Sequence, residues 1–524
     1  MAARTSADVK AARKRVGTYL ASKIVHAGSV TEEFIPYDEI ERAWTGHDVI
    51  EAVLCVAELS TDGLERIRKN FLRVLSILIW INGTECLDDI GNRMVEGRDL
   101  PFKDTGLPAG LDSLKWLEDP LLRPKFQSLQ HIFVPATLCE SSEVQDINKD
   151  CRLPFQEISE DVSSGAYGVV DKVTIAPFHF FTRHEEHTNQ GPKIVACKKY
   201  HSASSLARHD IERELYNLQL LKESSTSHEH ILIHLTIVHH RGRHLILLPW
   251  ADRHDLDHFL REGKDHTAKQ IYDFDKWFPG VLADPRTTLE SICRQMRHIA
   301  DALKWLHEGI LTHRANRNRV YFAHMDLKPD NVLIKRDDIS SGPSKVGKWI
   351  LCDFGLSAFK KDDQLNTTQF SSMQDYFERD LSMNTPARRA PGAYQPPEVG
   401  GPESDNITTL TGAGRGGDIW AFGCVLAEVL AFSIGGSSFV HDFRKARKGV
   451  HKTDYFYEKR ANLVASSAHI KKTYQVRPGI VKWLRELVGT ASLPKTLVSC
   501  CVETILQLLE TDRESRPKSS EVQM

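Results

Sequence analysis

A chain of 524 residues, 41% hydrophobic and 26% charged, carries enough apolar material for two or three domains with sizeable cores, which sets aside a disordered or fibrous polymer. A formal net charge of −2 argues against a general nucleic-acid binder, and ten cysteines without a C-x-x-C pair argue against a zinc module or a disulfide framework. The run Phe71 to Ile81, read as the longest apolar stretch, is too short for a bilayer and contains Arg73. The opening residues lack the apolar core of a secretory signal, and Asp8 speaks against a mitochondrial leader, so no membrane span and a cytoplasmic or nuclear location are expected.

Residues 1–145 read as an all-α accessory domain. Ser6 to Val25, Tyr37 to Trp44, Asp48 to Leu59, Leu64 to Ile81 and Leu111 to Trp116 show Leu, Ile, Val and Ala at helical spacing, with 60–63 as a capping turn. No glycine-rich loop, metal-ligand set or nucleophile arrangement occurs there, so the expected role is contact with a protein partner or with the rest of the chain. Ser141 to Asp150, polar and acidic, reads as a linker.

Farther along, Ser163-Ser164-Gly165-Ala166-Tyr167-Gly168-Val169-Val170 is a glycine-containing turn between two apolar runs, of the kind whose small residues let backbone N–H groups approach phosphates. Val195-Ala196-Cys197-Lys198 lies on the next apolar strand. Residues 210–221 have helical period, with Leu215, Leu218 and Leu221 near one face. Leu245 to Leu248 reads as a buried strand closed by Pro249.

The densest chemistry is His324-Met325-Asp326-Leu327-Lys328-Pro329-Asp330-Asn331, followed by Asp353-Phe354-Gly355. Transfer of a phosphoryl group from ATP needs a cation held by oxygen ligands, which Asn331 and Asp353 supply, and a carboxylate to take the proton of the attacking hydroxyl, which Asp326 supplies. Lys328 adds a point charge for the transferring phosphate. A carboxylate in a chain this charged is ordinarily a solvated surface group. The ordered set reverses that expectation. His324 reads as a scaffold histidine, and Cys352 as a small buried hydrophobe rather than a reactive thiol.

These motifs resemble the eukaryotic protein kinase superfamily, and Lys328, two places after the aspartate, resembles its serine/threonine branch. The resemblance implies an α+β bilobal kinase fold over 146–524, with a five-stranded N-lobe (152–250) and a mainly helical C-lobe (251–524). It implies ATP and Mg2+ as cofactors and a protein with a Ser/Thr acceptor as substrate. Ser163, Gly165, Gly168, Val170, Ala196, Leu248, Pro249 and Ala251 would then surround the nucleotide. Lys198 would meet the α- and β-phosphates with Glu214 as its helical partner, in better register than Glu212. Tyr394-Gln395-Pro396-Pro397-Glu398 is similar to the closure of the activation segment, Asp418 to Glu428 to the central C-lobe helix, and Arg516 to the arginine that pairs with Glu398. Helical regions resembling 1–145 precede some divergent fungal kinases. By the same resemblance another helix would follow Arg516, where this sequence stops at Met524.

Departures from the pattern carry their own expectations. Ser163 stands at the first glycine of the loop, and Met325 replaces the arginine that answers an activation-loop phosphate, so phosphorylation there is not expected to be the switch. Ala390-Pro391-Gly392 takes the place of the usual threonine before Tyr394. Insertions at 177–192, 312–322 and 336–347 read as polar surface excursions. A pseudokinase acting as a nucleotide-binding scaffold is the alternative reading, and small-molecule phosphorylation on the same fold is a third.

Overall fold

A computed structural model describes residues 5–522 apart from 27–31, 47, 99, 101, 166–167, 183–190, 201–204, 265–272, 313–318, 337–343, 362–391, 400–413, 452, 461–473 and 491–492. The chain divides into two compact units, Met1–Ser202 with His234–Trp250, and Ala203–Ile233 with Ala251–Met524. It is a mixed α+β architecture with a helical region over 6–133 ahead of the strands.

In the first unit, helices α1 (Ser6–Ser22), α2 (Tyr37–Ala43), α3 (Val49–Val53), α4 (Thr61–Asn70), α5 (Leu72–Trp80), α6 (Thr84–Val95) and α7 (Leu122–Phe133) enclose one apolar core built on Trp44, Phe71, Phe126 and Phe133. Thr5 and Asp8 form a reciprocal capping box that starts α1, and Ser60 accepts from the Gly63 N–H to start α4. The single helix read over 64–81 is two helices, because Phe71 leaves helical geometry at φ −138°. Of 48–59 only Val49–Val53 is α-helical, and 111–116 holds a 3-10 turn at Leu111–Leu114. Trp44 donates its Nε1–H to Ser76 Oγ (2.9 Å) inside the core, so neither polar group is stranded there.

A second core, with Phe155, Val173, Ile175, Val195, Cys197, Val238, Leu245 and Leu247, lies under a β-sheet. Its strands are β2 (Val144–Ile147), β3 (Phe155–Gly165), β4 (Gly168–Ile175), β6 (Lys193–Tyr200), β7 (Thr236–His240) and β8 (Arg243–Pro249), in the order β2-β7-β8-β6-β4-β3. The short strands β1 (Leu138–Cys139) and β5 (Phe180–Phe181) pair in parallel. The sheet therefore has six strands, not five. The sixth comes from the stretch read as a linker, because Val144–Ile147 pairs in parallel with Ile237–His240 and satisfies the backbone of that edge.

The second unit holds α8 (Ser205–Lys222), α9 (Leu256–Leu260), α10 (Phe274–Trp277), α11 (Pro285–Glu308), α12 (Gly414–Lys448), α13 (Pro478–Thr490) and α14 (Lys495–Leu508), with strands β9 (Ile310–Leu311), β10 (Arg319–Ala323), β11 (Val332–Lys335), β12 (Lys348–Leu351), β13 (Ala358–Lys361), β14 (Tyr457–Lys459) and β15 (Tyr474–Val476). Asp284 caps α11 through the Thr287 N–H, and Leu289, Ile292, Met296, Ile299, Leu303 and Leu306 form its buried stripe. Gly309 ends it at φ +91°, where a Cβ would meet Arg319 and Tyr321 side chains at 2.6–2.9 Å. Among the described residues helix α12 is the longest apolar helix, more so than Phe71–Ile81, and 89% of its most apolar window is buried, so its composition serves a protein core. It breaks at Gly435–Gly436.

All three stretches read as surface excursions have buried parts. His179 and Phe180 are buried, and within 312–322 strand β10 carries buried Val320, Tyr321 and Phe322 against β13. The polar residues that surround both short strands hid them. At 336–347 the described end includes buried Val346.

Candidate active site

Strand pairing sets two loops side by side. β10 ends immediately before His324 and β11 begins immediately after Asn331, while β12 ends just before Cys352 and β13 begins just after Ser357. Because β10 pairs with β13 and β11 with β12, loops 324–331 and 352–357 are held together at both ends. The Cys352 N–H donates to Asn331 O (2.9 Å), and the Ser357 hydroxyl to His324 O (3.1 Å).

Within the first loop, Asp326 and Asn331 are both buried. Asn331 donates its amide N–H groups to Asp326 O (2.7 Å) and Asp326 Oδ2 (3.0 Å), and Lys328 Nζ lies 3.6 Å from the same carboxylate oxygen. The Asn331 amide nitrogen is thus committed to fixing Asp326, and the chemical handle left on that side chain is its oxygen. Asp353 is exposed and takes a left-handed φ of +64°, strained for a non-glycine residue. An amide oxygen and a solvent-facing carboxylate on abutting loops are hard oxygen donors suited to a magnesium ion, so the residues present fit that group.

The loop rests on Asp418, fully buried near the start of α12. Its Oδ2 accepts from the His324 N–H (2.7 Å) and its Oδ1 from the Met325 N–H (2.7 Å). Burial depresses the His307 pKa, and the neutral ring donates Nε2–H to the same carboxylate at 2.9 Å. Met325 is held at φ +65° by these contacts. His324 donates Nε2–H to Cys352 O (2.9 Å) and accepts the Asp326 N–H on Nδ1 (3.3 Å), which makes it a scaffold that joins the loops.

Helix α8 brings Glu214 and Asn217 to the second loop, both buried. A Cβ built on Gly355 would stand 3.1 Å from Glu214 Oε2, so the glycine makes room for that carboxylate. Asn217 Nδ2 donates to Phe354 O and Ser357 O, each at 3.1 Å, and Arg213 Nη2 to Gly355 O at 3.3 Å. Ala251 lies half-buried in this unit.

In the first unit, the strand pleat separates two faces. Val195 and Cys197 point into the sheet's core, so Ala196 and Lys198 point the other way. Val170 pairs with Lys198 and Ala196 with Leu248, which gathers Val170, Ala196, Lys198 and Leu248 on one face, with Pro249 next along β8 opposite Val195. Lys199 points to the opposite face, where its Nζ meets buried Asp171 at 2.6 Å. Ser163 and Gly165 pair with Val170 and Gly168 as the ladder closes around 166–167, which lie outside the described residues. A Cβ on Gly168 would fall 2.2 Å from Lys199 O, so only glycine fits there. Burial pushes the Cys197 thiol up to about 12, which leaves it a packing group.

Beyond the loops, Glu398 receives a bidentate pair from Arg516 (2.8 and 3.2 Å), and Arg516 also donates to Gly416 O and Glu510 O. Tyr394 donates its hydroxyl to Glu428 Oε2 (3.0 Å), a fully buried carboxylate that also accepts from Arg444 and Arg447. Residues 390 and 391 lie outside the described residues. Sequence reasoning missed the anchoring roles of Asp418 and Asn217. The signal for Asn217 was present as an amide among Leu215, Leu218 and Leu221 on the helix.

Comparison with known proteins shows the family. Residues 183–523, well over half of the chain, match the family model for the protein kinase domain. The chain belongs to that family, whose members transfer phosphoryl groups. The match takes in Lys198, Glu214, Asp326, Lys328, Asn331 and Asp353 and begins downstream of the glycine hairpin at 163–170. Comparison with curated proteins finds no match.

Proposed function

We propose that this chain is an active serine/threonine protein kinase that transfers the γ-phosphoryl group of Mg-ATP to a protein hydroxyl in intracellular signalling. The observation that carries this reading is the fixed set of Asp326, Lys328 and Asn331, backbone-tied to the loop of Asp353. Asp326, held by Asn331, accepts the proton of the attacking hydroxyl. Lys328 steadies the transferring phosphate. Asn331 and Asp353 are the oxygen ligands for magnesium, which when bound neutralises developing phosphate charge. Lys198 meets the α- and β-phosphates and Glu214 orients it. The backbone around Ser163, Gly165 and Gly168 covers the phosphates, and Val170, Ala196, Leu248, Pro249 and Ala251 receive the adenine.

Residues 1–145 act as an accessory domain for a protein partner, 146–524 as the kinase domain, and the chain works in the cytoplasm or nucleus. The helical region supports grouping it with divergent kinases of fungal type. Ser163 in the glycine turn, and a family match that starts after that turn, favour the second reading, a nucleotide-binding pseudokinase scaffold. Labelled γ-phosphate transfer to a basic acceptor protein, followed by phosphoamino-acid analysis, separates the two. Label on serine and threonine that disappears in Lys198→Met supports the first. ATP-dependent thermal stabilisation without transfer supports the second.

A further inference from the structure

We propose that Asn217 is a positioning residue that sets the conformation of Asp353, and with it the magnesium requirement of the site, by clamping the following turn to helix α8. This rests on the kinase reading above.

The geometry is specific. Both Nδ2 hydrogens of Asn217 go to carbonyls that bracket Gly355 and Leu356, Phe354 O and Ser357 O at 3.1 Å each. Two acceptors facing one side-chain terminus fix its orientation, since only the amide nitrogen can serve both. The Ser357 N–H returns to Phe354 O at 3.2 Å, so the amide closes a turn that already bonds to itself. Asn217 is 0% exposed. Its Oδ1 is buried without a hydrogen-bond partner, a cost that packing alone would avoid by placing leucine there, as at Leu215, Leu218 and Leu221. One turn earlier, Arg213 holds Gly355 O (3.3 Å) and Glu214 lies against Gly355. Helix α8 therefore grips three carbonyls in a row of four residues, beginning at the residue next to Asp353.

The purpose of that grip is legible in Asp353 itself. Its φ of +64° is one that a non-glycine residue leaves unless neighbours over-determine it. Fixing the Phe354 carbonyl fixes the Phe354–Gly355 peptide plane, whose N–H donates to Asp353 Oδ1 (3.4 Å), and so the direction in which that carboxylate is offered.

The test compares the full chain with Asn217→Leu, Asn217→Asp and Arg213→Ala. The first replaces the amide by an apolar group of similar size, the second by an isostere that presents oxygens to two carbonyls, and the third loosens the half-buried end of the clamp. Two readouts are taken: the magnesium concentration giving half of the thermal stabilisation by a non-hydrolysable ATP analogue, and kcat against KM for ATP. Expected are a fivefold or greater rise in the half-saturating magnesium, a tenfold or greater fall in kcat with KM changed less, and unliganded melting temperatures close to wild type for Asn217→Leu and Arg213→Ala. Magnesium dependence and kcat within twofold of wild type in folded Asn217 variants overturn the proposal. If both Asn217 variants unfold, Arg213→Ala decides, and an unchanged magnesium dependence there overturns it. A shifted magnesium dependence in a chain that transfers no phosphate would keep the clamp and reject the kinase reading.

Discussion

Asp255 is a carboxylate in an unfavourable place. It caps α9 through the His258 N–H (2.8 Å), but burial, with repulsion from Asp330 and Asp257, raises its pKa from 3.8 to about 7. The folded chain therefore binds more protons here than the unfolded one between about pH 4 and 7, and this group's contribution to stability is lost as pH rises through that window. Asp255→Asn keeps a capping oxygen and removes the titration. Its stability relative to wild type, followed by denaturant midpoints, should rise with pH from 4 to 8 by roughly 1–4 kcal/mol. Buried His179 and His230 act with the opposite sign. Both are depressed to about 4, so their contribution is present above about 6.5 and lost as pH falls toward 4. His179→Phe should weaken the loss of stability between pH 6.5 and 5. At this scale the grouping of Asp326, Lys328, Asn331 and Asp353 on two adjoining loops was legible, since they sit in short ordered motifs. The roles of Asp418 and Asn217 were not, because each acts on backbone groups far away in sequence, Asp418 on two N–H groups and Asn217 on two carbonyls, and the amide among leucines at 217 does not say which groups it serves.

Among the elements, the pair that joins Glu398 to the final helical region has the clearest energetic consequence. Arg516 is buried with its guanidinium over Trp420 and its donors spread over Glu398, Gly416 O and Glu510 O. Arg516→Ala leaves Glu398 facing a cavity without its cation, at a cost of about 3–5 kcal/mol in urea unfolding. Arg516→Lys should recover only part, because one ammonium cannot reproduce the bidentate fork. Helices were readable on α1 and α8, where apolar residues recur at helical spacing. Strands β2, β5 and β10 were not. They are short and owe their form to pairing with β7, β1 and β13, which periodicity within one segment does not report.

For the molecule as a whole, the stretch between the helical core and the sheet core is structural rather than slack. Ala136 N–H bonds to Arg152 O, Leu138 N–H to His179 O, Glu140 N–H to Phe181 O, and Val144–Ile147 covers the β7 edge. A fragment spanning 148–524 should melt several degrees below one spanning 135–524 and aggregate more readily, since both lack the helical region and only the first exposes β7. Equal melting temperatures would show the arm to be dispensable. The central claim, that Asp326 takes the proton from an acceptor hydroxyl, is tested most directly by single-turnover phosphoryl transfer from Mg-ATP in wild type and Asp326→Asn, with nucleotide affinity measured alongside. The account predicts transfer slowed by 10²–10⁴-fold with ATP affinity within a few-fold of wild type. Transfer at an undiminished rate in Asp326→Asn would contradict it.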